Sequence, residues 1–391
     1  MKCPGFKAAG VAAGIKKNNK KDLGLLYSEV PANVAGVFTR NRVQAAPVLL
    51  DKERIKSGVC QAIIVNSGNA NCCTGEKGMR DAAAMARLTA LKLGIAEDLV
   101  LVASTGVIGK PMPMEKIEAS VPGAVDALSP EGIPDLARAI MTTDTVPKVV
   151  SRKGNIGGNT YTITGVAKGS GMICPDMATL LCFVCTDVIA LPHFLKETLS
   201  GAVERSFNRI TVDGDTSTND TLILMANGVS GAAIEKKTEK ESFQRLLDGV
   251  LIDLAKQVVK DGEGATKIVE IAINGAQTDE DARKIAVTVA NSNLVKTAFF
   301  GEDANWGRIL AATGRAGVIL EPDAIDVFFD DIQMVKNSSG LGDAAEAEAT
   351  AVLKKPEFTV TIDLNMGQGS ATMLTCDFSI DYVRINADYR S

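Results

Sequence analysis

The chain has 391 residues, a formal net charge of -5, and 46% hydrophobic against 23% charged residues, the balance of an ordinary soluble globular protein. Negative charge and an aromatic content of only 4% argue against a general attraction to nucleic acid and against base-stacking platforms. The longest apolar run, Ala178 to Leu191, is broken by Thr186 and Asp187 and is too short to span a bilayer.

The N-terminus, Met1-Lys-Cys-Pro-Gly-Phe-Lys7, has no apolar stretch after its positive charge. No signal peptide is expected, and a cytoplasmic location is the default. The first fifty residues alternate glycine-rich turns with short apolar runs at Gly10–Ile15, Leu23–Tyr27 and Val34–Thr39. Gln61–Val65 reads as a buried strand that ends in Asn66-Ser-Gly-Asn-Ala-Asn71, a tight turn of residues that tolerate left-handed backbone. A helix follows over Met79–Leu93, with Gly94 as its C-cap.

Asp98–Ala103 is the next strand and runs into the loop Ser104-Thr-Gly-Val-Ile-Gly109. That loop sets a hydroxyl and a glycine amide at a strand end, where sites in open sheets are often built, although a plain turn accounts for it equally. Glu115–Ser120 is a short helix stopped by Pro122-Gly123. A further helix over Ile133–Met141 leads into Thr142-Thr-Asp-Thr145. Lys153–Asn159 is a hairpin-like glycine turn, and Tyr161–Ala167 is a strand.

The stretch Lys168–Asp187 organises the rest. Its first half is polar and turn-like, and its second half, Ala178–Val188, is almost wholly apolar. On a strand Thr179, Leu181, Phe183 and Cys185 point one way, while Ala178, Leu180, Cys182 and Val184 point the other. Both faces are apolar, so cover on both sides is predicted. Thr179 is then a hydroxyl at the entrance to the core, unless it is there only for its β-branched shape.

His193, the single histidine, follows Pro192 and starts a helix over Phe194–Phe207. A surface or capping role suits that place, so a nucleophilic mechanism here needs some other base. Arg209–Val212 reads as a strand, and Asp213-Gly-Asp-Thr-Ser-Thr-Asn-Asp220 as the loop that opens the next helix. Its glycine and glutamate positions are wrong for a calcium loop. An aspartyl-phosphate phosphatase built on Asp213 and Asp215 is the nearer alternative.

Phe243, Leu246, Leu247, Val250, Leu254 and Val258 form an apolar helical stripe. It ends at Asp261-Gly-Glu-Gly-Ala-Thr-Lys267, which lacks Walker spacing, and Glu263 between two glycines is aimed toward a cleft. Then come the strand Ile268–Ile273 and a helical segment over Glu280–Ala290 continuing toward Phe300. Strands are predicted at Ala324–Phe329, Phe358–Leu364 and Ala371–Ile385, separated by a helix over 343–354, and the last strand ends the chain without a tail. Of the eight cysteines, Cys182 and Cys185 have metal-pair spacing but face opposite sides of a strand. With no second pair, reduced buried thiols are expected and no metal.

The run Lys168-Gly-Ser-Gly-Met-Ile-Cys-Pro-Asp-Met-Ala-Thr179 resembles the self-cleavage motif of the ornithine acetyltransferases, also called glutamate N-acetyltransferases. Six further stretches resemble family blocks in order: those beginning at Asn66, Ser104, Met141, Val212, Asp261 and Gly301. The ending Ile385-Asn-Ala-Asp-Tyr-Arg-Ser391 does so too, so the likeness spans essentially the whole chain. It implies an α/β (α+β) sandwich, two sheets with flanking helical layers, superficially like N-terminal nucleophile hydrolases but with different connectivity.

The resemblance further implies a cut between Ala178 and Thr179, giving an α chain of residues 1–178 and a β chain of residues 179–391 associated as α2β2. The freed α-amino group of Thr179, with a reference pKa of roughly 7.7 to 8.0, can then serve as base for its own hydroxyl. Thr179 takes the acetyl group from N-acetylornithine and passes it to glutamate in a ping-pong cycle. By the same resemblance Thr105 and Gly106 form the oxyanion hole, and Thr142, Lys168, Glu263, Asn386 and Ser391 bind substrate. The charge signs suggest that Lys168 meets a substrate carboxylate and Glu263 an amine. No cofactor is implied, and acetyl-CoA stays open as a second donor.

Four positions depart from the family pattern: Cys174 and Cys72 stand for alanine, Asp176 for asparagine, and Leu180 for methionine. Asp176 adds negative charge beside the scissile bond and is expected to alter the rate of cutting. An uncleaved, non-catalytic relative is the remaining alternative.

Overall fold

The computed structural model describes residues 2–17, 19–174 and 180–388. They form two compact units. In the first, β1 (Phe6–Val11) pairs antiparallel with β2 (Leu23–Phe38). After α1 (Ala46–Arg54) come β3 (Val59–Asn69), α2 (Gly75–Leu93) and β4 (Val100–Val107). Then follow α3 (Met114–Asp126), α4 (Ile133–Ile140), β5 (Lys148–Ile156), β6 (Asn159–Lys168) and β7 (Leu181–Thr186). The unit closes with α5 (Pro192–Glu204), β8 (Thr221–Ala226) and α6 (Lys237–Lys260).

The strands make one sheet in the order β4-β3-β2-β8-β7-β6-β5, with β1 attached to β2. β3 runs parallel to β4 and β7 parallel to β8, and the other neighbours are antiparallel. The double-sided apolar pattern finds cover on both faces. Ile63, Val65, Leu101, Ala103, Phe183 and Ile223 pack with Leu136 and Ile140 of α4. Ala62, Ile64, Val100 and Val102 pack instead with Met85 of α2 and Ile117 of α3. Every residue of β7 is buried, as expected of a strand with no wet face.

The second unit holds β9 (Ile268–Ala276), α7 (Asp279–Ala290), α8 (Asn293–Phe300) and α9 (Trp306–Gly314). It continues with β10 (Asp326–Phe329), β11 (Ile332–Lys336), β12 (Ser339–Gly340), α10 (Asp343–Leu353), β13 (Glu357–Asp363), β14 (Gly369–Cys376) and α11 (Ile380–Ala387). Its sheet has the order β12-β11-β10-β13-β9-β14, and only β13 and β9 are parallel. Val269, Ile271, Ile273, Val360 and Ile362 pack against Ile285 and Val289 of α7. The fold is therefore an α+β assembly of two mixed sheets with flanking helices, as the resemblance implied. No helix among the described residues is long and apolar enough to cross a membrane.

Several predicted elements are corrected. Asn66–Asn69 is strand rather than turn, and Ser104–Val107 is strand rather than loop, because these tails pair with each other. The apolar run Leu23–Tyr27 and all of Val34–Thr39 but Thr39 belong to one strand, with an irregularity between Tyr27 and Ala32. Pro122 lies inside α3, whose buried Val121 and Ala124 hold the helix across it. The Lys153–Asn159 turn shrinks to Gly157-Gly158, both at positive φ.

Arg209–Val212 is not a strand: Phe207–Arg209 is a 3₁₀ turn and Ile210 makes one isolated bridge to Leu374. The loop after it leads into the strand β8, not a helix. The segment toward Phe300 divides into α7 and α8. The long strand Ala371–Ile385 ends at Cys376, and the described chain finishes in α11.

Candidate active site

The parallel pair β3–β4 sets Asn66 beside Ser104, Ser67 beside Thr105 and Gly68 beside Gly106. Gly106 has φ +131°, and a Cβ there would lie 2.4 Å from the Gly68 carbonyl carbon and 2.6 Å from the Asn69 nitrogen. The backbones meet only because Gly106 has no side chain. Gly106→Ala should cost at least about 2 kcal/mol in urea unfolding. Gly109→Ala is the control, since its Cβ meets nothing within 4 Å despite φ +80°, and it should cost about 1 kcal/mol.

Lys168 ends β6, opposite Leu181 at the start of β7. It is 2% exposed, so it is not a solvated surface lysine. Its Nζ donates to Thr105 Oγ1 at 3.4 Å. Sequence-distant Thr105 and Lys168 are thus brought together. Thr142 joins them through Asp144, whose Oδ2 accepts the Thr142 amide at 2.9 Å. Asp144 Oδ1 accepts both the Gly169 amide and Lys148 Nζ at 2.7 Å.

Burial pushes the Asp144 carboxyl up, but Lys168 and Lys148 outweigh it and hold the group down at about 2. It stays an anion between two buried ammonium groups. Lys16 lies at the edge of this cluster and donates to the Met141 carbonyl at 2.6 Å. Burial lowers it; Asp22 opposes that and Lys168 adds to it, leaving Lys16 at about 8.

Two residues of the acidic loop brace the same strand ends. Asn219 Nδ2 donates to the Ala70 carbonyl at 2.6 Å and to the Ser104 carbonyl at 2.9 Å. Asn219→Ala would leave two buried acceptors without that donor and should cost about 2–4 kcal/mol by thermal or urea unfolding. Asp220 Oδ1 accepts the Leu180 amide at 2.8 Å, and burial drives this carboxyl well above its ordinary range. It therefore grips the backbone immediately after Thr179. Thr179 and Ala178 themselves lie outside the described residues.

Glu263 and Asn386 meet in the second unit, where Asn386 Nδ2 donates to Glu263 Oε2 at 2.8 Å. Gly264, at φ +70°, lets this loop abut α11: a Cβ there would lie 2.5 Å from the Tyr382 nitrogen. The Ser379 hydroxyl donates to the Gly264 carbonyl at 2.6 Å. Ser391 lies outside the described residues.

Asp144, Lys148, Lys16, Asn219 and Asp220 were not singled out from the sequence. Asp144, Asn219 and Asp220 stood inside motifs already quoted; Lys148 and Lys16 gave no local signal. The phosphatase alternative loses its footing, since the strand it needs before Asp213 is absent. Asp213 instead accepts the Ile173 amide at 2.9 Å and the Tyr382 hydroxyl at 3.2 Å. Among the described residues no group of three His, Cys, Asp or Glu side chains is placed to hold a metal ion.

The ArgJ family model matches residues 7–391. The chain is 54% identical over 393 aligned positions to an arginine biosynthesis bifunctional protein ArgJ of Geobacter sulfurreducens, covering 100% of each chain. It is 54% identical, with the same coverage, to the protein of that name from Syntrophotalea carbinolica. A solved ornithine acetyltransferase from Mycobacterium tuberculosis, complexed with ornithine, is 38% identical. That likeness covers 46% of this chain and 94% of the solved one, with a TM-score of 0.40. A match along nearly the whole chain and relatives more than half identical over their full length make it a member of the ArgJ family.

Proposed function

We infer that the chain transfers the acetyl group of N2-acetyl-L-ornithine to L-glutamate in arginine biosynthesis, after cutting itself between Ala178 and Thr179. Membership of the ArgJ family along residues 7–391 carries this reading. The Thr105–Lys168 contact and the Glu263–Asn386 pair support it, because the first joins an oxyanion-hole residue to a substrate-binding one and the second joins two substrate-binding residues, as the family resemblance assigns them.

The cut begins when the Thr179 hydroxyl attacks the Ala178 carbonyl and the peptide becomes an ester. Hydrolysis of the ester frees the Thr179 amine. That amine, with a reference pKa of roughly 7.7 to 8.0, takes the hydroxyl proton as Thr179 attacks the acetyl carbonyl. The Thr105 hydroxyl and Gly106 amide stabilise the oxyanion; one donor of this kind is worth about 3–4 kcal/mol. Ornithine leaves carrying the proton, and glutamate then accepts the acetyl group. Lys168 meets a substrate carboxylate and Glu263 an amine, and Thr142, Asn386 and Ser391 also bind substrate. The scheme uses no metal or organic cofactor, and the two chains remain associated, as α2β2.

Intact mass under denaturing conditions, with N-terminal sequencing, tests the cut. Two species are expected, the larger beginning Thr-Leu-Leu-Cys. Acetylornithine-to-glutamate transfer and acetyl-CoA-to-glutamate transfer are then assayed side by side, which decides the second donor. A single 41.0 kDa species that stays whole and transfers nothing would overturn the reading in favour of an uncleaved, non-catalytic relative.

A further inference from the structure

Cys72 and Cys73 follow the strand β3 in the turn that leads to α2. Neighbouring side chains usually diverge, but here the two sulfurs lie 3.7 Å apart. The cause is in the backbone. Asn71 and Cys73 both have positive φ, 46° and 58°, a conformation that costs non-glycine residues energy and marks a segment held by its surroundings. Cys72 is buried with Ala45, Val48 and Ala70, while Cys73 is exposed.

We propose that Cys72 and Cys73 form a vicinal dithiol that small-molecule disulfides oxidise reversibly to a disulfide between adjacent residues. The exposed Cys73 thiolate attacks the reagent RSSR, forming Cys73–S–SR and releasing one thiolate. Cys72 then loses its proton and attacks the Cys73 sulfur, expelling the second thiolate. Two protein thiols become one disulfide, and RSSR becomes two RSH. Burial raises the Cys72 thiol, which fits it to the resolving step, not the first attack. Adjacent Cα atoms sit about 3.8 Å apart, below the usual span of about 4.4–6.8 Å for a disulfide. The ring is strained, so mild thiols should reopen it.

The pair is wired to the candidate site. The Cys72 carbonyl accepts the Gly109 amide at 3.0 Å, and the Ala70 amide donates to the Val107 carbonyl at 3.0 Å. Closing the ring turns the Cys72–Cys73 peptide and pulls on the segment that carries Thr105 and Gly106. Oxidation should therefore slow acetyl transfer about tenfold or more, an effect that rests on the activity proposed above.

The test treats purified protein with oxidised glutathione and reads intact mass without reductant. A loss of about 2 Da is expected, mapped to the Cys72–Cys73 peptide and reversed by dithiothreitol. Cys73→Ser and Cys72→Ala should keep basal activity and lose the 2 Da change. A glutathione adduct of about 305 Da that persists on Cys73, or a disulfide mapped elsewhere, would overturn the dithiol. Because mass is read without turnover, that result is separate from any failure of the acetyl-transfer reading. A closed ring with unchanged turnover would overturn the link to Thr105 and Gly106.

Discussion

Thr179→Ala is expected to leave the purified chain as one 41.0 kDa species and to abolish acetyl transfer. One hydroxyl is assigned two tasks: attack on the Ala178 carbonyl and attack on the acetyl group. Removing it stops the cut, so the amine that serves as base is never released. Loss of a nucleophile typically costs about 10⁴-fold or more in kcat, and here the base goes with it. Thr179→Ser keeps both groups and should still cut, more slowly, with turnover within about 100-fold of the parent. Far-UV circular dichroism should match the parent for both variants, since the flanking strand β7 is held by β6 and β8. An alanine variant that cuts and turns over normally would remove Thr179 from the mechanism.

Asp144→Ala should destabilise the protein by about 3–5 kcal/mol, because it leaves buried ammonium groups without their shared anion. Lys148 and Lys168 are 0% and 2% exposed, so neither can turn to water. Asp144→Asn keeps an acceptor for the Gly169 amide and should cost less. The pH dependence has a definite sign. Asp144 titrates at about 2 when folded and near 3.9 when unfolded. Its contribution, about 2–3 kcal/mol, is fully present above about pH 4 and is lost as pH falls through about 2. Asp51 and Asp220, raised by burial, act in the opposite direction. The quantity to measure is therefore the stability difference between parent and Asp144→Asn from pH 5 to pH 2 by urea unfolding. A difference that stays flat across that range would remove Asp144 from the cluster's charge balance.

Local pattern made much of the fold legible. The apolar run of β7, the stripe of α6 and the Gly94 C-cap at φ 71° all rest on residues close in sequence. Reading failed where distant pairing overrode local composition. Asn66, Ser67 and Gly68 look like a turn, yet the partner strand at Ser104, Thr105 and Gly106 makes them strand. The apolar residues near 380–385 looked like a strand, but α11 buries none of its residues, so no core stripe marks it as a helix.

The candidate site divides the same way. Thr105, Gly106, Thr142, Lys168, Glu263 and Asn386 were named through the family resemblance, and the structure joins them in two groups, one in each unit. Asp144 and Lys148 complete the first group through bonds that only the folded chain brings about. The Gly169 amide that Asp144 accepts is 25 residues away along the chain.

The order of strands in the first sheet has one more consequence. β7 and β8, which follow the proposed cut, lie between β2 and β6, which precede it. Each piece thus finishes a ladder begun by the other. Before the cut, folding is a first-order event within one chain. After it, refolding from denaturant requires two chains to meet, and the yield should fall as the protein is diluted. The cut separates how the structure forms from how it persists. With the proposed cut, the chain would have to fold before cutting, and from then on the protein would endure by the slowness of its unfolding.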